Sequence, residues 1–274
     1  MNTEETVLED LYQELDKIKT KAKQEYKDVN IKINLAELEK RIAQSQHLID
    51  LKNLKIDNKW LERLFKNYLL ILEKYKKENG EIAKKLDQGF KQQILDLETL
   101  AKKVFHFDSV YLETLAKKMN LKIEDLAFLG LQLINPVFEL YAEKLIGKIE
   151  TDKWSKGYCP VCGSPPVMAY LRKDDGKRIL WCQFCGTKWS FLRLKCPFCS
   201  NEDQKTLKYF FTEENNSYRV YLCEKCKKYI KTIDQRKMKK GENLDLGWKN
   251  IETLALDFLA QKEGYSSQKI VFSV

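Results

Sequence analysis

The chain has 274 residues, of which 43% are hydrophobic and 32% charged, and its net charge is +9. This length is enough for two domains, and the hydrophobic fraction supports a packed core. The longest apolar stretch, residues 126–138, is too short and too often interrupted by polar residues to span a bilayer, which excludes a membrane-spanning protein. The acidic N-terminus is followed by no apolar segment of the secretory type, so we expect a cytoplasmic protein.

Residues 1–153 are expected to form a helical domain, because apolar residues recur three and four positions apart among charged ones. Asp57 and Asp108 are expected to cap helices, and a break is expected at Asn79-Gly80. The segment 123–147 is apolar nearly all round, which predicts a helix in the centre of the bundle. The charges of the 26 basic and 26 acidic residues within positions 1–150 cancel. The whole excess of positive charge therefore lies in residues 151–274.

All eight cysteines lie in four Cys-x-x-Cys pairs within residues 159–226, with gaps of 19, 10 and 23 residues between the pairs. A Cys-x-x-Cys turn places two thiolates on one side of a tight loop, and two such turns make a tetrahedral four-sulfur cage that suits zinc or a single iron ion. In a reducing compartment, paired cysteines are metal ligands far more often than disulfides. The spacing therefore predicts two closed metal sites. Their ligands are Cys159, Cys162, Cys182, Cys185, Cys196, Cys199, Cys223 and Cys226.

The cysteine region is also an internal repeat. In each copy a first pair is followed by turn-forming residues and by a short apolar strand that leads into the second pair, as in Ile179-Leu180-Trp181-Cys182 and Val220-Tyr221-Leu222-Cys223. The repeat favours sequential pairing, in which the first and second cysteine pairs form one cage and the third and fourth pairs form the other. A crossed arrangement, first pair with third and second with fourth, is the main alternative.

These patterns predict a mainly α fold class: an N-terminal helical bundle, two tandem β modules of the rubredoxin-like or zinc-ribbon kind, and a C-terminal helix. The expected domains are residues 1–153 (helical), 154–190 (first module), 191–235 (second module) and 236–274 (connector, C-terminal helix and tail). The two histidines, His47 and His106, have no ligand-type residue beside them at a metal-binding spacing, so we expect no site at either.

The order of motifs resembles a known family. Cys159 to Gly163, Cys182 to Cys199 with Trp189 and Arg193 between them, and Cys223 to Cys226 followed by Tyr229 are similar to the formate dehydrogenase accessory proteins of the FdhE type. The resemblance implies a cytoplasmic maturation factor, not an enzyme, that binds the catalytic subunit of formate dehydrogenase, and it favours iron over zinc. Trp189, Arg193 and Tyr229 are candidate partner contacts, since Trp and Arg are favoured interface anchors.

Two other classes of function remain open from the residues alone. The basic second half and its aromatic residues permit a zinc-ribbon protein that binds nucleic acid, although no dense basic stripe follows a cysteine pair, so we expect no nucleic-acid partner. Two iron centres would also permit an electron-transfer protein. Identification of the bound metal would distinguish that function from a structural role of zinc. A catalytic site is not expected, because a closed four-thiolate cage lacks an open coordination position.

Overall fold

The structure is a computed structural model, and it describes residues 3–26, 34–49, 56–75, 77–147, 154–212 and 215–267. The helices are α1 (Thr3–Glu25), α2 (Leu35–Ala43), α3 (Asn58–Lys74), α4 (Lys77–Lys91), α5 (Leu97–Phe105), α6 (Ser109–Met119), α7 (Ile123–Ile146), α8 (Leu246–Glu252) and α9 (Leu254–Lys262). The strands are β1 (Met168–Leu171), β2 (Arg178–Trp181), β3 (Lys188–Phe191), β4 (Leu207–Thr212), β5 (Asn215–Cys223) and β6 (Lys228–Asp234). None of the helices in the described ranges is long and apolar enough to cross a membrane.

The described residues divide into two compact units. The first holds α1, α3 to α6 and α7 as far as residue 140, and the second holds α2, the end of α7, all six strands, α8 and α9. A helical first half followed by a sheet that carries the cysteines confirms the predicted fold class. The predicted domain boundary at 153–154 adjoins residues 148–153, which lie outside the described residues, as does the predicted tail beyond residue 267.

The helical unit is built as its sequence pattern indicates. Asp57 caps α3 by accepting a hydrogen bond from the backbone N–H of Trp60 at 2.7 Å, and Asp108 caps α6 through Tyr111 at 3.0 Å, so both predicted caps are confirmed. The predicted break at Asn79-Gly80 is wrong: the chain turns extended at Tyr75 and α4 runs on through Gly80. A glycine inside a helix costs only about 1 kcal/mol, which the rest of a helix of this length offsets.

The apolar segment 123–147 does form a buried helix. Between residues 126 and 138 of α7 most side chains are buried, including Phe138, which makes an edge-to-face contact with Phe105 at 4.7 Å between ring centroids. Gly130 of α7 lets α5 approach closely, because a Cβ atom at this position would lie 2.4 Å from Cγ2 of Val104. The absent side chain therefore sets how tightly these two helices pack.

The six strands form one sheet in the order β3-β2-β1-β6-β5-β4. Each copy of the internal repeat supplies an antiparallel three-stranded meander, β1–β3 and β4–β6, and the two meanders join where β1 pairs in parallel with β6. The sequence predicts two separate ribbons with two strands each. The structure adds a third strand to each copy and a shared ladder between them, which stretches from Met168 opposite Lys231 to Leu171 opposite Asp234.

The two C-terminal helices cover one face of this sheet. Leu256 and Ala260 of α9 pack on Val220 and Tyr229, and Leu246 of α8 belongs to a second cluster with Met168 and Ile233. The sequence predicts one helix here, and the structure divides it at Thr253.

The division has a local cause. The ammonium group of the buried Lys231 on β6 donates a hydrogen bond to the carbonyl oxygen of Asn250 at 2.7 Å, and the hydroxyl of Thr253 donates to the carbonyl of Lys249 at 2.6 Å. Hydrogen bonds that compete with the helical ladder favour a break.

Candidate metal centres

The first four-cysteine site lies in the interior of the first meander. The Sγ atoms of Cys159 and Cys185 are 3.4 Å apart, as are those of Cys162 and Cys182, and all four sulfurs lie within 4.8 Å of one another. All four side chains are buried. Cys159 and Cys162 precede β1, while Cys182 and Cys185 follow β2, so the β1–β2 hairpin brings the two pairs together.

The second site repeats this arrangement in the second meander. The Sγ atoms of Cys196 and Cys226 are 3.7 Å apart and those of Cys199 and Cys223 are 3.6 Å apart, and the β4–β5 hairpin joins the pairs. Cys199 and Cys226 are half-buried, which distinguishes this site from the first. The structure thus groups the cysteines in sequential order, not in the crossed arrangement.

Each cysteine pair forms the same turn. The residue after the second cysteine donates its backbone N–H to the carbonyl of the first, at 2.8–3.0 Å, in all four pairs. This residue always has a positive φ: 78° at Gly163, 69° at Gly186, 59° at Ser200 and 52° at Lys227. Glycine adopts this conformation without steric cost, whereas Ser200 and Lys227 adopt it against their intrinsic preference.

Replacing Ser200 by glycine is expected to stabilise the second module by up to about 1 kcal/mol, because glycine adopts the left-handed conformation without strain. Glycine also loses more backbone entropy on folding than serine, but this loss cancels only part of the gain. Chemical denaturation of the metal-loaded protein measures the change. Gly163→Ala is the opposing control, since its φ is 78° and its Cβ would lie 2.7 Å from Nδ1 of His47, so it should destabilise. A destabilising Ser200→Gly would contradict this account of the turn.

Backbone N–H groups point at the sulfurs, as a metal-binding turn requires. The N–H groups of Cys199 and Phe198 bind the sulfur of Cys196, and those of Cys226 and Lys225 bind the sulfur of Cys223. Burial opposes ionisation of Cys223, but these N–H groups and the neighbouring thiols hold its pKa at about 7. One thiol of this site is therefore prepared to ionise at neutral pH.

Burial also opposes ionisation of Cys162, but hydrogen bonds with the neighbouring thiols hold its pKa well below the ordinary value. Three other thiols oppose ionisation in the absence of a cation. Burial and the neighbouring sulfurs raise the pKa of Cys182 and of Cys185 well above the ordinary value, and burial raises the pKa of Cys226 to about 11. Four thiolates in so small a space need a positive charge between them. Tetrahedral coordination at a zinc–sulfur distance of about 2.3 Å places sulfurs about 3.8 Å apart, close to the spacings of both sites. The donor sets therefore fit one four-coordinate ion each.

The first site has a neighbour that spacing along the chain does not reveal. The segment after α2 lies along the first cysteine turn, with the N–H of Leu48 bound to the carbonyl of Pro160 at 3.0 Å and that of Ile49 to Val161 at 2.7 Å. His47 packs its ring against Gly163, next to Cys162. Because about 110 residues separate these segments in sequence, only the fold brings His47 to the site.

The three candidate partner contacts lie in different environments. Trp189 is buried in β3 and donates its indole N–H to the carbonyl of Lys156 at 3.0 Å. Tyr229 is buried in β6, with its hydroxyl 2.8 Å from Asp257. Arg193 has an exposed side chain, on the linker between the two modules. Partner contact remains a prediction for all three, and of the three Arg193 is placed to make it from the surface.

A buried arginine, Arg178 on β2, is a feature that the sequence pattern does not indicate. Its guanidinium group donates to the carbonyls of Leu192 and Lys195 and lies over the ring of Phe191, 5.3 Å from the centroid. Burial lowers the pKa of Arg178 to about 10. Arg178 thus ties the first meander to the linker that leads into the second site.

Together these features define a class of protein: a helical unit joined in one chain to a sheet that carries two closed four-cysteine sites. Residues 158–193 match the family model described as FdhE, central domain. The FdhE homolog of Aquifex aeolicus is 32% identical over 180 residues, which are 64% of this chain and 60% of that protein. FdhE of Escherichia coli O1:K1 is 34% identical over 116 residues, 41% of this chain and 36% of the relative.

The fold is similar to that of a solved relative. The crystal structure of the FdhE protein from Pseudomonas aeruginosa aligns with a TM-score of 0.63 at 19% identity, over 93% of this chain and 84% of that one. The resemblance to the FdhE type inferred from the motifs is therefore confirmed. The matched segments cover less than two thirds of the length of each of the two curated relatives.

Proposed function

We propose that this chain is a non-catalytic accessory factor for formate dehydrogenase and that it binds the immature catalytic subunit. The relatives of the FdhE type support the accessory role. Each four-cysteine site is proposed to hold one ion, bound by Cys159, Cys162, Cys182 and Cys185 in the first site and by Cys196, Cys199, Cys223 and Cys226 in the second. Such an ion shapes the module and, if it is iron as the family resemblance implies, also exchanges an electron.

The observation that carries the proposal is an exposed apolar face on α9. The inner side of this helix packs on the sheet through Leu256 and Ala260, whereas Leu254, Phe258 and Leu259 are turned outward and are 36%, 69% and 40% exposed. Neighbouring large apolar side chains that face solvent are typical of a protein–protein contact. The exposed Arg193 adds a charged anchor on the same structural unit.

Two exposed aromatic side chains on the sheet bear on the nucleic-acid alternative. Tyr209 and Phe211 on the edge strand β4 are 52% and 46% exposed and stack at 6.4 Å. Nucleic-acid binding would need cations beside them. The nearby Lys208 is paired with Glu224, and Arg219 is buried against Asp234. These pairings favour a protein partner over a nucleic acid.

The proposal predicts that the tagged chain retrieves the formate dehydrogenase catalytic subunit of its own organism under anaerobic conditions. Phe258→Ser should weaken this complex at least tenfold, because it removes a large apolar contact of the hot-spot kind. Leu70→Ser is the matched control: Leu70 is 65% exposed on α3 in the helical unit, so its loss should leave the complex unchanged. Quantitative co-purification measures both effects.

The possible outcomes test the accessory role and the contact surface on α9 separately. Failure of the unchanged chain to retrieve the catalytic subunit would reject the accessory role. Retrieval with equal losses for Phe258→Ser and Leu70→Ser would keep the role and reject α9 as the contact.

A further inference from the structure

Two buried hydroxyl groups lie beside the sulfurs of the first four-cysteine site. Oγ1 of Thr187 is 3.0 Å from Sγ of Cys185, and Oγ of Ser164 is 3.4 Å from Sγ of Cys162. Both hydroxyl-bearing side chains are buried, as are the two cysteines that they contact. Bulk water therefore does not compete for these contacts, and a buried hydroxyl of this kind needs the partner that the sulfur provides.

The position of both hydroxyls follows from the turn that a cysteine pair forms. Thr187 and Ser164 each stand two positions after the second cysteine of a pair. The carbonyl of Thr187 accepts the N–H of Cys182 at 3.0 Å, and the carbonyl of Ser164 accepts the N–H of Cys159 at 2.8 Å. These backbone bonds close the turns and hold both side chains next to the sulfurs.

Ionisation of the cysteines decides the direction of these hydrogen bonds. A thiol can donate to a hydroxyl oxygen, whereas a thiolate has no proton and can only accept. Metal binding requires the thiolate form. In a loaded first site the hydroxyls of Thr187 and Ser164 must therefore donate to sulfur. A hydrogen bond to a charged acceptor is about twice as strong as one between neutral groups, so each hydroxyl stabilises the thiolate that it contacts.

The second site differs at the two corresponding positions, which are Asn201 and Lys228. Nδ2 of Asn201 is 3.7 Å from Sγ of Cys223, and it donates to Oγ1 of Thr206 at 2.7 Å. Lys228 places its ammonium group over the ring of Phe198, 5.6 Å from the centroid. Neither position supplies a hydroxyl, so a change at Thr187 should affect the first site and spare the second.

We propose that the hydroxyls of Thr187 and Ser164 increase the affinity of the first site for its ion by donating hydrogen bonds to two of its thiolates. The inference rests on the metal-binding part of the proposed function and does not depend on the formate dehydrogenase partner. Groups that bind the ligands of a metal typically change metal affinity by about 10–100-fold. Thr187 makes the shorter contact and should contribute the larger factor.

Thr187→Val tests the proposal, because valine is close to threonine in shape and lacks the hydroxyl. The full chain is loaded with an NMR-active cadmium isotope, which should give one resonance for each four-thiolate site, assigned through couplings to the cysteine Hβ protons. The variant should shift the first-site resonance and leave the second in place. Competition with a chelator should show the first-site affinity lowered by about 10–100-fold. Ser164→Ala should shift the same resonance and lower the affinity by a smaller factor.

Matched variants separate the hydrogen bond from packing. Thr232→Val makes the same change at a buried threonine of the sheet, whose hydroxyl donates to the carbonyl of Ile230, so both cadmium resonances and both affinities should stay unchanged. Thr187→Ser retains the hydroxyl and should keep most of the first-site affinity, whereas Thr187→Ala should lose it. This second pair decides the question even if valine does not fit at Thr187.

The proposal is overturned if Thr187→Val or Ser164→Ala leaves the first-site resonance and affinity unchanged. Equal effects of Thr187→Val and Thr232→Val, or of Thr187→Ser and Thr187→Ala, would also overturn it, since either result assigns the effect to packing. A chain that binds no cadmium would reject the metal sites themselves. Two bound ions with no effect of these variants would reject only the role of the hydroxyls.

Discussion

Removal of the metal ions by a chelator is expected to unfold the sheet and to leave most of the helical signal in place. Structural zinc sites contribute about 10–16 kcal/mol of apparent binding free energy in small domains, which equals or exceeds the total stability of a typical protein. The two sites should empty in order, because Cys199 and Cys226 of the second site are half-buried whereas all four ligands of the first are buried. Metal release followed with a coloured chelator, together with circular dichroism, measures both effects.

The matched variants are Cys226→Ser and Cys182→Ser, one in each site. Both should lower the bound metal from two ions to one per chain, and because the two meanders share the β1–β6 ladder, each should also weaken the other module. A sheet that remains folded in metal-free protein would refute the structural role of the ions. Simultaneous release from both sites would refute the difference in access.

The same samples identify the ion. Iron in a four-thiolate site absorbs visible light when oxidised and bleaches on reduction, whereas zinc is colourless and does not change its oxidation state. Colour that bleaches would favour the iron expected from the family resemblance and allow an electron-transfer role. Colourless protein with two zinc ions per chain would leave a scaffold that presents α9 and Arg193 to a partner.

Asp234→Ala is expected to destabilise the sheet unit by about 3–5 kcal/mol, the range for breaking a buried ion pair on one side. The carboxylate of Asp234 is fully buried at the end of β6, and it binds Arg219 at 2.9 Å and Arg236 at 2.8 Å. Burial alone would raise the pKa of Asp234, but these two arginines hold it below the ordinary value. Without the carboxylate, the buried Arg219 would keep its charge and lose its partner.

Denaturation followed by tryptophan fluorescence measures this effect, since four of the five tryptophans lie in the sheet unit. Asp175→Ala is the control at an ion pair of the same kind on the surface, where Asp175 binds Arg172 in the β1–β2 turn. Exposed pairs contribute about 0–1 kcal/mol, so this variant should change stability little. Equal losses for the two variants would contradict the importance of burial at Asp234.

The structural features that depend only on near neighbours in the chain were predictable from the sequence. Asp57 and Asp108 cap helices because the cap needs only the next three residues, and each Cys-x-x-Cys turn sets the direction of its own two sulfurs. The duplicated order of pair, hairpin and pair was enough to select sequential grouping of the cysteines. The apolar residues of 126–138 likewise specified a buried helix.

Other features were decided by the tertiary structure. The parallel pairing of β1 with β6 joins residues about 60 positions apart, and the packing of His47 on Gly163 joins segments about 110 apart. Such contacts depend on surfaces that exist only after each meander has formed, so no local pattern encodes them. The same holds for Trp189 and Tyr229, which their places in the cysteine motifs marked as candidate contacts. The folding of the sheet placed both in the interior and left Arg193 and the outer face of α9 on the surface.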